Sequence, residues 1–279
     1  MTLRERVRQL RLYYKSAPLF RARLASPSSA WWLPFVRAGR TVEIRFRSGR
    51  TFRMASDHWP LLPSACRLEK IGAAFEFLPT EKRIVLDALT FHTPLWIRNE
   101  AAYFQEVLLD DVYRVKGRDL RGKVVVDVGA YVGDTALAFA RQGATVHAVE
   151  PSQAFCGFLR RNVAENGLAA NIVVHPVGLA EREGTSSSGT DTLRFVEGVE
   201  YALRHLPAGI DLLKLDCEGA EYHLLADPRF LAHLAPAEIH MEYHRGHAPV
   251  VSLLDRAGYA VAMEPVSGPV GMLSAHRRR

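Results

Sequence analysis

The chain has 279 residues, of which 48% are hydrophobic and 24% charged, and its net charge is +6 with a pI of about 9.4. This balance is typical of a folded globular protein and excludes bulk disorder. No run approaches the roughly 18 apolar residues of a membrane helix, and no apolar core of a signal peptide follows the basic start. Three widely spaced cysteines without a C-x-x-C pair predict neither a zinc knuckle nor a disulfide framework, so we expect a reducing cytoplasm.

Much of the positive charge lies at the two ends of the chain. Solvated basic ends are the simplest interpretation, and nucleic acid, anionic lipid or an acidic carrier protein remain open as partners. A basic motif with interleaved aromatic residues is absent, so we do not expect nucleic acid. The arginines concerned are Arg4, Arg6, Arg8, Arg11, Arg21, Arg23 and Arg277 to Arg279.

The first hundred residues predict an α+β extension. Residues 2–15 have apolar residues at helical spacing between arginines, which predicts an amphipathic helix. Residues 16–40 contain three prolines and several serines and predict a loop, with Trp31–Trp32 buried. Residues 41–54 alternate between apolar and charged side chains on both sides of a turn at Ser48–Gly49, which predicts a hairpin. Further strands are expected near 75–78 and 83–86. This extension, residues 1–100, is expected to serve acceptor binding or a homodimer, and peripheral membrane contact stays open.

Residues 101–279 predict a second domain in which strands and helices alternate, entered by a helix over 100–113. A polar loop is expected over 181–191, and a closing antiparallel hairpin around 265–269 follows the last helix. The predicted strands are 123–128, 145–150, 171–175, 210–216, 237–243, 259–263 and 270–275, and the helices are 133–141, 152–166 and 248–257.

The stretch from Val124 to Asp134 predicts a buried strand, a glycine turn and a helix start. Such a turn presents free backbone N–H groups and a partial positive charge to a ligand. Glu150 ends the next strand, 23 residues after Asp127, where an acid accepts hydrogen bonds from ribose hydroxyls. The pattern G-x-x-x-G differs from the dinucleotide motif and resembles the S-adenosylmethionine (SAM) site of Rossmann-like methyltransferases.

A second turn follows the strand that begins at Ile210. Charged residues in an apolar strand are unfavourable unless they are paired or used, and Lys214 and Asp216 share one face of this strand. Glu218 and Glu221 come just beyond. We therefore expect a charged cluster at the carboxyl end of a central strand, where α/β sheets bind substrates.

Together, these motifs resemble the FkbM-type methyltransferase family. The resemblance covers roughly residues 95–245 and includes Asp127 to Gly133, Glu150–Pro151, Ile210 to Glu221 and Glu238 to Glu242. It implies a class I methyltransferase fold, with a mostly parallel seven-stranded sheet and a C-terminal antiparallel hairpin. It also implies SAM as cofactor, S-adenosyl-L-homocysteine as product, and methylation of a hydroxyl on a sugar, lipid or secondary metabolite.

The resemblance also implies roles for individual residues. It places Lys214, Asp216, Glu218, Glu221 and Glu242 toward the acceptor. The chemistry of proton removal adds His244 to this catalytic set, and we expect Lys214 to orient Asp216 and Glu218. The cofactor-binding set comprises Asp127, Gly129, Ala130, Tyr131, Gly133, Asp134, Glu150, Pro151, Gly178 and Leu179.

Two chemical points stay open at this stage. Asp216, Glu242 or His244 could remove the proton of an acceptor hydroxyl. His240, Glu242 and His244 alternate along one strand, so a divalent metal site with Asp216 or Glu218 is an alternative. A polar strand end facing a cleft is the commoner arrangement, and no metal is expected.

The expected function is SAM-dependent O-methylation of a small metabolite, a sugar or a carrier-bound intermediate. An RNA or protein methyltransferase that uses the basic ends is an alternative. Another SAM-dependent alkylation in the same pocket and a non-catalytic SAM- or nucleotide-binding module are further alternatives.

Overall fold

The computed structural model describes residues 3–188, 191–263 and 268–278, and the side chains from residue 7 onward. The chain forms two compact units, Met1–Asp110 and Asp111–Arg279. The sequence divides the chain between residues 100 and 101, and the roles that it assigns to those two domains stay predictions.

The first unit combines helices with short antiparallel strands. Two 3₁₀ helices, Leu33–Phe35 and Ser56–Leu61, connect the regular elements. These are α1 (Leu3–Lys15), α2 (Ala17–Arg23), α3 (Pro27–Trp32), β1 (Thr41–Arg45), β2 (Thr51–Ala55), α4 (Leu62–Lys70), β3 (Ala74–Phe77), β4 (Glu81–Leu86), β5 (Leu89–Pro94) and α5 (Glu100–Leu108).

The predicted first helix and hairpin are confirmed in this unit. β1 pairs with β2 in antiparallel register, and Ile44 and Met54 on one face are buried. β3, β4 and β5 form a second antiparallel sheet. The core between these elements includes Tyr13, Phe20 and Phe46, whose rings remove a large apolar area from water.

The predicted loop over 16–40 is wrong, because α2, α3 and a 3₁₀ turn lie there. α2 and α3 each have proline in their first turn, where the missing N–H leaves no helical hydrogen bond unmade. The predicted burial of Trp31–Trp32 is also wrong in part. Trp31 is half-buried and stacks on Tyr14 at 5.1 Å, whereas Trp32 is 71% exposed.

The second unit alternates strands and helices, as predicted. Its elements are β6 (Val124–Val128), α6 (Asp134–Arg141), β7 (Thr145–Val149), α7 (Gln153–Glu165), β8 (Ile172–His175), β9 (Gly178–Ala180), β10 (Gly184–Ser188), β11 (Asp191–Glu197), α8 (Gly198–His205), β12 (Leu212–Leu215), α9 (Glu221–Ala226), α10 (Pro228–Leu234), β13 (Glu238–Tyr243), α11 (Ala248–Arg256), β14 (Tyr259–Met263) and β15 (Gly271–Arg277).

Seven strands of this unit form one sheet in the order β14-β15-β13-β12-β6-β7-β8. β15 runs antiparallel to both of its neighbours, β13 and β14, and the other described strand pairs of this sheet are parallel. Most residues of the central strands are apolar and buried, as is typical of parallel sheets, and the buried exceptions include Asp127 on β6 and Lys214 on β12. The predicted fold class is confirmed. In this topology the carboxyl ends of β6, β7, β12 and β13 lie along one edge of the sheet.

The polar loop predicted over 181–191 is wrong, because this segment contains β10. Its serines and threonine pair with β11 in antiparallel register, and β11 pairs in turn with β9. All five residues of β10 are exposed, so backbone pairing and not burial keeps the strand in place. Residues 189 and 190 and part of the turn predicted at 265–269 lie outside the described residues.

Candidate functional site

Gly129 brings the two predicted turns into contact. It follows β6 with φ +86°, and a Cβ built on it would lie 1.8 Å from the carbonyl oxygen of Asp216, which follows β12. No other residue type permits this approach together with this backbone conformation. The glycine motif and the second acidic turn therefore belong to one site.

Asp127 is fully buried beneath this contact. Its Oδ2 accepts a 2.6 Å hydrogen bond from the Thr135 hydroxyl, and its Oδ1 lies 3.1 Å from the Nζ of Lys214. The two residues are direct register partners on β6 and β12. Oδ1 makes no hydrogen bond and is compensated only by the charge of Lys214, and no atom of the side chain is exposed to a cofactor. This differs from the direct cofactor contact that the resemblance implies.

Lys214 contacts both turns, and its ammonium lies closer to the carboxylate of Asp127 than to that of Asp216. Its ammonium donates to the carbonyl of Gly129 at 2.6 Å and lies 3.9 Å from Asp216 Oδ2. Burial opposes the charge, but Asp127, Tyr113 and Asp216 outweigh it and raise the pKa of Lys214 above its usual value. Lys214 is therefore a permanent cation and not a base, and the expected pairing with Glu218 is absent among the described contacts.

Glu150 ends the neighbouring strand β7, as predicted. Its two oxygens accept hydrogen bonds from the backbone N–H groups of Tyr131 at 2.9 Å and Ser152 at 2.8 Å. Burial raises the pKa of this carboxyl to about 7. Burial likewise raises the pKa of Asp134, the first residue of α6, to about 7. Two carboxyl groups with pKa values near 7 at one edge of a sheet are typical of a functional site.

The remaining predicted cofactor residues have different environments. Gly133, with φ +95°, precedes α6, and Tyr131 has φ +49° with its ring 4.7 Å from that of Phe155. Gly178 lies where a Cβ would meet Phe195 and Pro151. Two of these residues, Ala130 and Leu179, are buried, Leu179 in the apolar core.

The second turn is built around Glu221, which is fully buried. Its carboxylate accepts hydrogen bonds from the backbone N–H groups of Gly219 and His244 at 2.8 and 3.1 Å, and its Oε1 lies 3.1 Å from His244 Nδ1. Burial would raise the pKa of Glu221, but these hydrogen bonds outweigh it and lower the pKa. Glu221 therefore holds the ends of β12 and β13 together and positions His244.

His244 directs its other nitrogen toward three carboxylates. Because Glu221 accepts the Nδ1–H, Nε2 carries the lone pair of the neutral ring. Nε2 lies 3.7 Å from Asp216 Oδ1, 3.7 Å from Glu218 Oε2 and 3.9 Å from Glu242 Oε2. Hydrogen bonding to Glu221, with further attraction from Asp216 and Glu242, raises the pKa of His244. These residues form the part of the predicted catalytic set that faces a common space.

The proposed metal alternative with His240 does not match the geometry. His240 is buried and lies 2.6 Å from Glu238 at the opposite end of β13, and Glu238 also binds Arg118. Ligand atoms of Asp216, Glu242 and His244 do lie within 4.8 Å of one another. Glu242 and His244 lie at the carboxyl end of β13, and His240 lies nearer its amino end. The alternation of these residues in the sequence does not show which of them lie at the edge of the sheet that holds the site.

Tyr113 is a site residue that sequence analysis missed. Its hydroxyl donates to Asp216 Oδ2 at 3.3 Å, and its ring lies 5.6 Å from Lys214 Nζ. Burial raises the pKa of Tyr113 well above its usual value, so the phenol stays a donor. It lies 103 residues before Asp216, inside the range of roughly 95–245 that the resemblance covers but outside its named motifs, so no local signal marked it.

A nucleoside-bearing cofactor fits the first turn. Each Glu150 oxygen uses one lone pair on a backbone N–H and retains another for a hydroxyl. Gly133 at the N-cap of α6 makes no side-chain cap, whereas the carboxyl of Asp134 lies against the backbone N–H groups of the first turn, where a ligand carboxylate would have to share them.

The sheet and its edge site define a Rossmann-like methyltransferase. Residues 127–261 match the family model described as "Methyltransferase FkbM domain". The predicted resemblance to the FkbM methyltransferases is confirmed over these residues, which form an FkbM methyltransferase domain. The family uses SAM, which confirms the predicted cofactor. The protein is thus a SAM-dependent methyltransferase.

Several solved structures are similar to this chain. Magnesium protoporphyrin IX methyltransferase from Synechocystis PCC 6803 with bound SAM is 17% identical, with a TM-score of 0.45, over 64% of this chain and 82% of that one. The ribosomal protein L11 methylase of Lactobacillus delbrueckii subsp. bulgaricus is 17% identical, with a TM-score of 0.44, over 63% and 79%.

The M. jannaschii tRNA m1G37 methyltransferase is 12% identical, with a TM-score of 0.48, over 72% and 57%. The acceptors of these proteins do not transfer to this chain at such distances. No curated protein matches the sequence with significance.

Proposed function

We propose that this methyltransferase acts on a hydroxyl group and that His244 removes the hydroxyl proton. The acceptor that we propose is a small metabolite, a sugar or a carrier-bound intermediate of secondary metabolism. The observation that carries the proposal is the dyad of Glu221 and His244, because it orients a titratable nitrogen into a space bordered by Asp216 and Glu242. The contact between Gly129 and Asp216 brings this dyad to the cofactor turn.

The chemistry of the dyad follows from its protonation. SAM would supply an electrophilic methyl group on its sulfonium sulfur. Once this methyl group has been transferred, the product that remains is S-adenosyl-L-homocysteine. As the acceptor oxygen bonds to the methyl carbon, its proton passes to Nε2 of neutral His244. Glu221 stabilises the resulting imidazolium through Nδ1–H, and Asp216 and Glu242 add favourable charge.

The remaining residues position the two reactants. Glu150 would accept hydrogen bonds from the ribose hydroxyls, and the start of α6 would bind the methionine carboxylate. Asp127 and Lys214 hold the two turns at a fixed separation without touching either reactant. Tyr113 fixes the carboxylate of Asp216. Holding reacting atoms about 3–3.5 Å apart is a major source of rate in such displacements.

The test is a methylation assay against a panel of hydroxyl, amine and carboxyl acceptors, with the products identified by mass spectrometry. Wild-type protein is expected to add one methyl group to a hydroxyl and release S-adenosyl-L-homocysteine. His244→Gln is expected to lower kcat by roughly 10²- to 10⁴-fold, the range of general-base catalysis, with unchanged SAM affinity by calorimetry. His276→Gln, an exposed histidine near the C-terminus, is the matched control.

Each alternative has its own outcome in this assay. Release of methylthioadenosine would indicate another alkylation, and absence of SAM binding would indicate a non-catalytic module. Methylation of amines or nucleobases with full activity in His244→Gln would remove the proposed base.

A further inference from the structure

The first sixty residues of the chain are strongly basic. They contain thirteen arginines and lysines and three acids, a net charge of +10. By contrast, residues 111–279 contain eighteen basic and twenty acidic residues, a net charge of −2. The positive charge of the protein therefore belongs to the first unit, in which the methyltransferase site has no part.

Part of this charge lies on one face of α1. Arg8, Arg11 and Lys15 are exposed and recur at intervals of three and four residues, so they share the outer side of the helix. Tyr13 on the opposite side is buried and donates to the carbonyl of Ala30. Among the described residues, none of the three cations forms an ion pair. Their charges are therefore available to an anionic partner.

Large apolar side chains are exposed on α1 itself and at the end of the neighbouring α3. Val7 and Leu12 on α1 are 41% and 48% exposed. Trp32 and Phe35, at the end of α3 and in the following 3₁₀ turn, are 71% and 64% exposed, with their rings 6.4 Å apart. Tyr14 of α1 stacks on Trp31, the residue before Trp32, so α1 and α3 are held together.

A cavity extends this cationic region at the end of α1. It has a volume of about 420 Å³ and lies within the first unit. Lys15, Arg67 and Lys70 are among its lining residues, and the described lining contains no acid. It is large enough to accept a phosphate-bearing headgroup.

We propose that α1, α3 and the turn after α3 form a docking surface for an anionic lipid membrane. Basic residues beside exposed tryptophan, phenylalanine and leucine are the combination that binds the headgroup region of a bilayer. Trp32 and Phe35 enter the interface, and Arg8, Arg11 and Lys15 contact lipid phosphates. Among the described residues, no helix has the length and apolar character needed to cross a bilayer, so the contact is with the surface.

The aliphatic residues favour lipid over nucleic acid. Single-stranded nucleic acid binds basic grooves whose aromatic side chains stack on bases. Val7 and Leu12 offer no ring for stacking, and their exposure beside the cations gains nothing from a polar sugar-phosphate chain. In a bilayer interface, both side chains are removed from water.

The test is co-sedimentation of the full chain with vesicles of phosphatidylcholine containing 30 mol% phosphatidylserine. Binding is expected to these vesicles and not to pure phosphatidylcholine. Arg8→Gln/Arg11→Gln/Lys15→Gln should weaken it about 100-fold, since each cation near such a surface contributes roughly fivefold. Arg160→Gln/Arg182→Gln/Arg256→Gln removes the same charge from exposed positions of the second unit and should leave binding unchanged.

A second variant tests the apolar part of the surface. Trp32→Ser/Phe35→Ser should abolish the binding that survives 0.5 M salt and should leave thermal unfolding unchanged, since both side chains are exposed. If both triple variants lost vesicle binding equally, binding would depend only on the net charge of the protein, and the proposal would be overturned. Tighter binding to single-stranded RNA than to vesicles, lost in the α1 triple variant, would also overturn it and assign the surface to nucleic acid. Methyl transfer to a soluble acceptor is a separate readout, and its failure leaves this test intact.

Discussion

The turns that follow β6 and β12 both place an acid at the end of a central strand, but they use it differently. After β6, the carboxylate of Asp127 is fully buried, with a hydrogen bond from Thr135 on one oxygen and the ammonium of Lys214 3.1 Å from the other. After β12, Asp216 is 30% exposed in its side chain, and its nearest polar contacts are Tyr113 at 3.3 Å and His244 at 3.7 Å. An acid in a family motif is therefore not by itself a ligand contact. At these two turns, the buried side chain of Asp127 supports the turn, whereas the partly exposed side chain of Asp216 faces the side where a reactant would bind.

The largest expected effect is at the contact between the two turns. Gly129→Ala places a methyl group against the backbone of Asp216 at a positive φ, so we expect a loss of about 5 kcal/mol or more in the free energy of unfolding. Gly122→Ala also has a positive φ but has nothing within 4 Å, and it should lose only about 1 kcal/mol. Urea denaturation measures both. Equal losses would mean that the close approach does not stabilise the site.

Removing the buried cation should have the next largest effect. Lys214→Met leaves Asp127 as an uncompensated buried charge, which is expected to lower the free energy of unfolding by roughly 3–5 kcal/mol. Lys123→Met removes an exposed ion pair with Asp211 and should lose less than about 1 kcal/mol. If the two variants were equally stable, Lys214 would not join the turns.

The buried carboxyl of Glu150 predicts a pH dependence. Its pKa in the folded protein, about 7, lies above the ordinary value of an unfolded glutamate, so the folded state binds this proton more tightly. The free energy of unfolding should therefore fall as the pH rises from 5 to 8, by about 2 kcal/mol more in wild type than in Glu150→Gln. Denaturation at several pH values measures it. Parallel profiles would show that Glu150 is ionised freely in the folded state.

Glu218 should have the smallest effect. Its side chain is 90% exposed, so Glu218→Gln should change the free energy of unfolding by less than about 0.5 kcal/mol and kcat by less than about threefold. The comparison is with Asp216→Asn, which is less exposed and hydrogen-bonded to Tyr113. If Glu218→Gln lowered kcat more than Asp216→Asn does, Glu218 and not Asp216 would be the carboxylate that faces the reactants.

The parts of the fold that sequence predicted are those with local signals. Glycine turns, strand-ending acids and the alternation after residue 121 depend on neighbouring residues, and the structure confirms them. α2 and α3 were missed because Pro18 and Pro27 read as helix breakers when they in fact begin helices. β10 was missed because its side chains are polar and its stability comes from pairing with β11.

The sequence predicted most of the residues of the site but not the separate role of each one. The contacts of Tyr113 with Asp216 and of Lys214 with Asp127 join residues 103 and 87 positions apart, a separation that no local pattern encodes. The separate roles of His240 and His244 depend on their positions along β13, because His240 is paired with Lys214 inside the sheet and His244 follows the carboxyl end of the strand. That follows from the assembled sheet and not from their alternation.

The pH profile of kcat in wild type and Glu221→Gln tests the proposed base most directly, with an acceptor identified by the methylation panel. The raised pKa of His244 predicts that the wild-type rate increases with pH through an apparent pKa above about 6.5, because only the neutral imidazole accepts a proton. Loss of the Glu221 charge should move this pKa downward and lower the plateau. An identical profile in the two proteins would contradict the assignment of His244 as the base.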